Sequence, residues 1–393
     1  MRRMLWDFLF LCLSSSLWAQ DAQTLLDFYQ RSFTDATIDV KIKILQDAAA
    51  NKDASSFGPL YTQAVDYLVD NGTLLPTNQK LRQLAFVAAD QSAKTAYVPA
   101  RRSLLKLFLA DSEPQVRIRL ADALGIVAVG DSEVISGINR FLYTENSNFA
   151  AGNRSDPQVM SAVVRALGKL RDPSSFPALF TAMNIGYSTA ISSEARDALL
   201  SVKGDLKDCF IGVIESAPIL EKRKALEMAL QTDSLSNDQK GRVAERALAV
   251  ALHEAASDQA GKNALRQMRM ASAIALGERN QSSATPLLSE NLDMTILEFD
   301  RGLTDKRSLL EAVSALGSME SHDAAVRLTQ FLALINSYTE RGKAYDEQVV
   351  LTVVGSLGTL SDRVASDDLK YALYLKYPAS VLKLAQESLD KLK

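Results

Sequence analysis

The chain predicts an all-α fold, a solenoid of antiparallel helix pairs. Three observations carry the prediction: one 17-residue stretch recurs, its copies fall near a 40-residue period, and the segments between copies keep helical periodicity. The clearest copy runs from Asp156 to Asp172. It has a start, since Asp156 is a good N-cap residue and Pro157 suits the first helical turn. A buried face follows at Val159, Val163, Ala166, Leu167 and Leu170, spaced at 3.6 residues. Gly168 and Pro173 mark the exit.

Echoes of the motif end at Ala123-Leu124-Gly125, Ala166-Leu167-Gly168, Ala275-Leu276-Gly277, Ala315-Leu316-Gly317 and Ser356-Leu357-Gly358, with glycine spacings of 43, 109, 40 and 41 residues. The long gap has room for two weaker copies, near Glu194 to Gly204 and Glu221 to Gln231. In each copy the small residue before Leu-Gly allows close helix approach, and the glycine reads as a left-handed C-cap.

Taken in order, residues 1–19 read as a signal peptide: Arg2 and Arg3, an apolar run from Phe8 to Leu13, then small residues up to a cut near Ala19. Asp7 and the short apolar run also allow the segment to be a first helix. Cys12 as a lipidation site would follow Leu11, where a small residue is needed. The expected location is periplasmic or secreted, with no transmembrane anchor, because no stretch reaches about 18 uninterrupted apolar residues. Cleavage would remove both Trp and leave Cys209 as the only Cys, so no internal disulfide is expected.

Residues 20–112 read as divergent helical hairpins that cap the solenoid: Thr24 to Ser32, Asp39 to Ala50, Ser56 to Val69, Gln79 to Ala89 and Arg101 to Leu109 all show helical spacing. Residues 113–393 form the repeat array with C-terminal capping helices. Each motif helix there is followed by a second periodic segment: Val134 to Tyr143, Phe176 to Met183, Ala284 to Leu292, Ala324 to Asn336 and Leu369 to Leu375. Thr144 to Ser155 reads as a long loop and Asn291 to Lys306 as a solvated connection, whereas Asp367-Asp368 reads as a helix start.

From Glu113 to Asp362 these residues resemble the HEAT repeat family, in its short bacterial form with Asp-Pro, Val-Arg, small residues, then Ala-Leu-Gly. The resemblance implies a right-handed superhelix whose motif helices line a concave surface that holds other macromolecules. It names no partner.

Composition narrows the function. A net charge of −3 and a pI near 5.7 argue against nucleic acid. The two His, His253 and His322, stand far apart, and no Cys-x-x-Cys or His-x-x-x-His occurs, so no metal or cofactor is expected. One HEAT-type enzyme, deoxyhypusine hydroxylase, holds iron with several His-Glu pairs; only His253-Glu254 is present here. Nucleophile elbows, Walker loops and dinucleotide fingerprints are missing, and the chain reads as non-catalytic.

What remains is charge on the motif helices between Glu113 and Arg279. Arg119, Arg165, Lys169 and Lys222 are the candidate partner-binding residues, as a basic stripe in an acidic protein. Arg117, Arg196 and Arg269 share one repeat position and read as structural. Function therefore reads as an exported scaffold or adaptor for a protein partner of the cell envelope. Two alternatives stand: an enzyme or enzyme subunit acting on envelope material, and a cytoplasmic adaptor whose N-terminus is not a signal.

Overall fold

A computed structural model describes residues 23–110 and 113–392. The expected signal peptide, with Cys12 and both Trp, lies outside these residues. Among them every regular element is helical, and the chain divides into two compact units, the first ending at Gly204 and the second starting at Asp205.

The first unit holds α1 (residues 23–35), α2 (Ile38–Ala49), α3 (Gly58–Asp70), α4 (Gln79–Lys94), α5 (Arg101–Ala110), α6 (Pro114–Val127), α7 (Ser132–Ala150), α8 (Pro157–Leu170), α9 (Phe176–Asn184) and α10 (Thr189–Leu200). Helices α2, α4, α6, α8 and α10 pack one on the next as a motif layer, and α3, α5, α7 and α9 form a flanking layer. Each flanking helix also packs on the motif helix that follows it, which is solenoid packing.

The second unit repeats the plan with α11 (Leu206–Ser216), α12 (Ile219–Gln231), α13 (Asn237–His253), α14 (Gln259–Glu278), α15 (Thr285–Asp300), α16 (Lys306–Gly317), α17 (His322–Glu340), α18 (Glu347–Leu360), α19 (Ser366–Ala372) and α20 (Ala379–Leu389). Its motif layer is α12, α14, α16, α18 and α20; the rest flank it. The weak copies inside the long glycine gap are α10 and α12, each in its unit's motif layer.

Local chemistry sets the helix ends as expected for α8. Asp156 accepts from the amides of Gln158 and Val159 at 2.8 and 3.2 Å. Asp346 does the same for Gln348 and Val349 at the start of α18. The exits correct one expectation. Gly168 and Gly358 are not left-handed caps but helical residues, and the left-handed positions come three residues later, at Arg171 (φ 56°) and Ser361 (φ 55°).

What the glycines do is admit the next motif helix. A Cβ on Gly125 would stand 2.9 Å from Ala166 Cα, and one on Gly277 would stand 3.0 Å from Ala315 Cα. Gly168 faces Ala198, Gly317 faces Ser356 and Gly358 faces Ser388 in the same manner. Wherever the neighbour is itself a full copy of the motif, the glycine of one repeat meets the small residue two places before the next repeat's glycine. Close backbone approach is thus written into the motif twice.

Two expected loops are helical. Thr144 to Ala150 continue α7, with Thr144 and Ser147 bonding back to Arg140 and Tyr143 carbonyls and Asn146 buried. Polar composition misled there, because a helix can absorb Ser, Thr and Asn when their side chains find acceptors. Likewise Asn291 to Asp300 belong to α15, whose Asn291, Leu292, Thr295 and Ile296 are buried. Asp367 and Asp368 do open a helix, α19.

The two units carry the same plan at residue level. Asn146 on α7 donates to Ala178 O at 3.0 Å and accepts from Tyr187 Oη at 3.2 Å. Asn336 on α17, 190 positions later, donates to Asp368 O at 3.1 Å and accepts from Tyr377 Oη at 2.8 Å. Lys41 is buried with its ammonium on the Phe33 and Thr34 carbonyls at the end of α1. Lys222, 181 positions later, is buried on the Glu215 carbonyl near the end of α11. The buried set of α4, Leu81, Leu84, Ala85, Ala88, Ala89 and Ser92, returns 180 positions on as Gly261, Ala264, Leu265, Met268, Arg269 and Ser272 of α14. In α5 and α15 the buried Leu104, Leu107 and Phe108 return 188 positions on as Leu292, Thr295 and Ile296.

Candidate functional site

Period and helix geometry together build a groove across α6, α8 and α10. Gln115, Ile118 and Asp122 on α6 stand at i, i+3 and i+7, and so do Gln158, Ser161 and Arg165 on α8, each 43 positions later. Such spacing lines each trio along one helix face. With Ser188, Ala190 and Ile191 at the start of α10, residues of both trios enclose a groove of about 380 Å³.

Its polar groups are held in place. The Gln115 amide donates to Gln158 Oε1 at 3.2 Å. Arg165 Nη1 donates to Ser161 Oγ at 2.7 Å, and that hydroxyl donates to Glu194 Oε2 at 2.6 Å. The same guanidinium lies 3.6 Å from Asp122 and 3.7 Å from Glu194, one helix to each side. Such half-exposed pairs stabilise little, about 0–1 kcal/mol each, yet they limit where the guanidinium can point. Ile118 and Ile191 add apolar wall between amide, hydroxyl and guanidinium.

The four candidate residues do not form one stripe. Arg119 leaves α6 toward α4, where Asp90 takes it with both oxygens at 2.8 and 2.7 Å and the Phe86 ring lies 4.9 Å away. Arg165 sits in the groove just described. Lys169 is exposed one turn further along α8, its stem lying over Gly125. Lys222 belongs to the other unit and is 5% exposed, with Glu254 Oε2 at 2.7 Å. Acids balance three of these four cations, and in the first unit acid and base alternate along the motif layer from Asp90 on α4 through Arg119, Asp122 and Arg165 to Glu194 on α10. Sequence counting missed this because Asp90, Glu194 and Glu254 are remote in the chain from the cations they meet.

The aligned arginines also diverge. Arg117 stacks on Phe141 at 5.1 Å and donates to Phe108 O; Arg269 is buried against Glu298; Arg196 is exposed. Gln115, Gln158 and Ser161 carry no site reading in the sequence, and Glu194 stands there only as an acid among the basic motif-helix residues. One signal was present, the repeated Pro-Gln-Val at residues 114–116 and 157–159.

Other chemistry is sparse. His322 Nδ1 lies 2.7 Å from Asp362 and His253 Nδ1 lies 3.5 Å from Glu290. Among the described residues no three His, Cys, Asp or Glu side chains gather as a metal site requires, and no helix is long and apolar enough to cross a membrane. Cys209 is half-buried, and burial pushes its thiol up, away from the reactive thiolate.

No family model matches the chain. No curated protein matches it either. Among solved structures, one chain from work on a phosphorylation switch in the interaction between cadherin and beta-catenin is 14% identical over 94% of this chain and 96% of that one, with a TM-score of 0.30. A circular tandem repeat protein is also 14% identical, over 94% of this chain and 81% of that one, with a TM-score of 0.18. Likeness at that level supports no statement about function. The all-α solenoid rests on the helix order and layer packing of the chain itself.

Proposed function

We propose that the chain is a scaffold that holds an extended segment of a protein partner in the groove across α6, α8 and α10, with no chemistry of its own. The carrying observation is the groove's lining: one amide pair for a backbone, a guanidinium fixed between two carboxylates, and two isoleucines, all on helices already packed in place. A preformed surface of this kind spares a partner the cost of ordering both sides. The HEAT-like reading of the motif agrees with such a role, and the basic, apolar, small-residue order of residues 1–19 supports export to the envelope.

Affinity purification of cross-linked, tagged full-length protein from its own cells tests the reading, with mass spectrometry of the bait's N-terminus and its companions. The proposal expects a bait starting near Gln20 with one or two stoichiometric envelope proteins, lost when Arg165→Glu is introduced. A bait that keeps Met1 overturns export. Companions retained in full by the variant overturn the groove.

A further inference from the structure

The second unit contains a small polar cavity that its fold does not require. Between α14, α15 and α16 lies a space of about 20 Å³ lined by Arg266, Arg269, Asn291, Thr295, Glu298 and Ser308. Arg269 is 4% exposed and Asn291 3%. Glu298 accepts from Arg266 Nε at 3.2 Å and from Arg269 Nη2, which uses both carboxylate oxygens. Thr295 Oγ1 donates to Asn291 O at 2.7 Å. Two buried atoms stay unmatched by any protein group, the Arg269 Nη1 donor and the Asn291 Oδ1 acceptor.

In the first unit the positions equivalent to Arg269 and Thr295 are Ala89 and Leu107, buried and apolar. The Asn291 position falls on the polar Ser103, so what the second unit adds is Arg269 and Thr295 in place of an apolar pair, and burying that charge costs free energy that the alanine avoids. Arg269 and Asn291 both line this space, and a ligand that accepts and donates at once matches an unpaired donor and an unpaired acceptor better than a bare anion or a bare cation does.

We propose that this cavity is a specific site for one water molecule, which accepts from Arg269 Nη1 and donates to Asn291 Oδ1. The volume fits, since a buried water needs roughly 10–15 Å³ of such space and two to four polar partners. Its second hydrogen has the Thr295 and Ser308 oxygens in the same lining as acceptors, their own hydrogens going to Asn291 O and Asp305 Oδ1. The bound water completes the Arg266, Glu298 and Arg269 cluster and ties α14 to α15.

Crystals of the full chain grown in chloride and, separately, in bromide test the site. One peak within hydrogen-bond distance of both atoms, with no bromide anomalous signal, is expected. An anomalous peak, or direct contact between the two side chains, overturns the proposal. A thermal cycle gives a second reading. Arg269→Met and Asn291→Leu should each lower the midpoint by about 2–6 °C, and the double variant by less than their sum. Additive losses contradict a shared water.

Discussion

Gly317 of α16 and Ser356 of α18 stand so close that a Cβ on the glycine would lie 2.5 Å from the serine Cβ. Sequence marks both residues, yet only the packing shows that they touch. Gly317→Ala should therefore destabilise the second unit by about 1–3 kcal/mol through overpacking. Gly355, on α18 itself, meets nothing nearer than Leu384 Cδ2 at 3.7 Å. Gly355→Ala should stabilise by about 0.5–1 kcal/mol, because alanine suits a helix interior better. Chemical denaturation of both variants checks the opposite signs.

The amide clasp gives a second expectation. Tyr377→Phe removes the donor to Asn336 Oδ1 and leaves a buried amide oxygen unmatched, a loss of about 1–3 kcal/mol. Tyr187→Phe should cost a similar amount in the first unit, where the phenol meets Asn146 and burial pushes its pKa up to about 12. Denaturation midpoints of the two variants, measured side by side, test whether the units are built alike.

Burial should also order lysine reactivity. Lys41 and Lys222 are 2% and 5% exposed and cap the ends of α1 and α11. Desolvation lowers the Lys41 pKa, with Asp35 opposing it, which favours the reactive amine. Access decides the outcome, however, since neither ammonium reaches solvent without local opening. Under mild acetylation followed by mass spectrometry, both should stay unmodified while exposed Lys169 reacts; early labelling of Lys41 would contradict the packing.

A pH effect follows from His322 and Asp362. The hydrogen bond to Asp362, then its charge and that of Asp323, raise the His322 pKa above 6.5. The Val364 amide and His322 lower Asp362 below 3.8. A raised His pKa gives stability that is fully present below the unfolded value of about 6.5 and is lost as pH rises through the folded value. A depressed Asp pKa gives stability present above the unfolded value of about 3.9 and lost as pH falls through the folded one. His322→Gln should flatten the stability profile just above pH 6.5, read from thermal midpoints across pH; an unchanged slope would contradict the pairing.

Much of the fold was legible. The motif helices, the N-cap at Asp156 and the helical N-terminal hairpins follow from spacing and cap residues, which are local signals. Helices α7 and α15 outran their expected ends because Asn146, Asn291 and Thr295 are polar yet buried, and only tertiary partners make that tolerable. The repeat of the whole plan at about 180 to 190 residues escaped notice because the shorter period hides it. Of the candidate site, Arg165 was legible as a charge on a motif helix. Its brackets, Asp122 and Glu194, were not, because each lies on a different helix and period alone does not say which carboxylate meets which cation.

Site-specific photo-cross-linking tests the central claim most directly. A photoreactive residue placed at Gln158 or Ile118 in the groove, and for contrast at exposed Arg140 on α7, would be activated in cells. A single protein adduct common to Gln158 and Ile118 and missing from Arg140 is the predicted result. Adducts of equal yield from Arg140, or none from either groove position, would contradict the groove as the place where a partner is held.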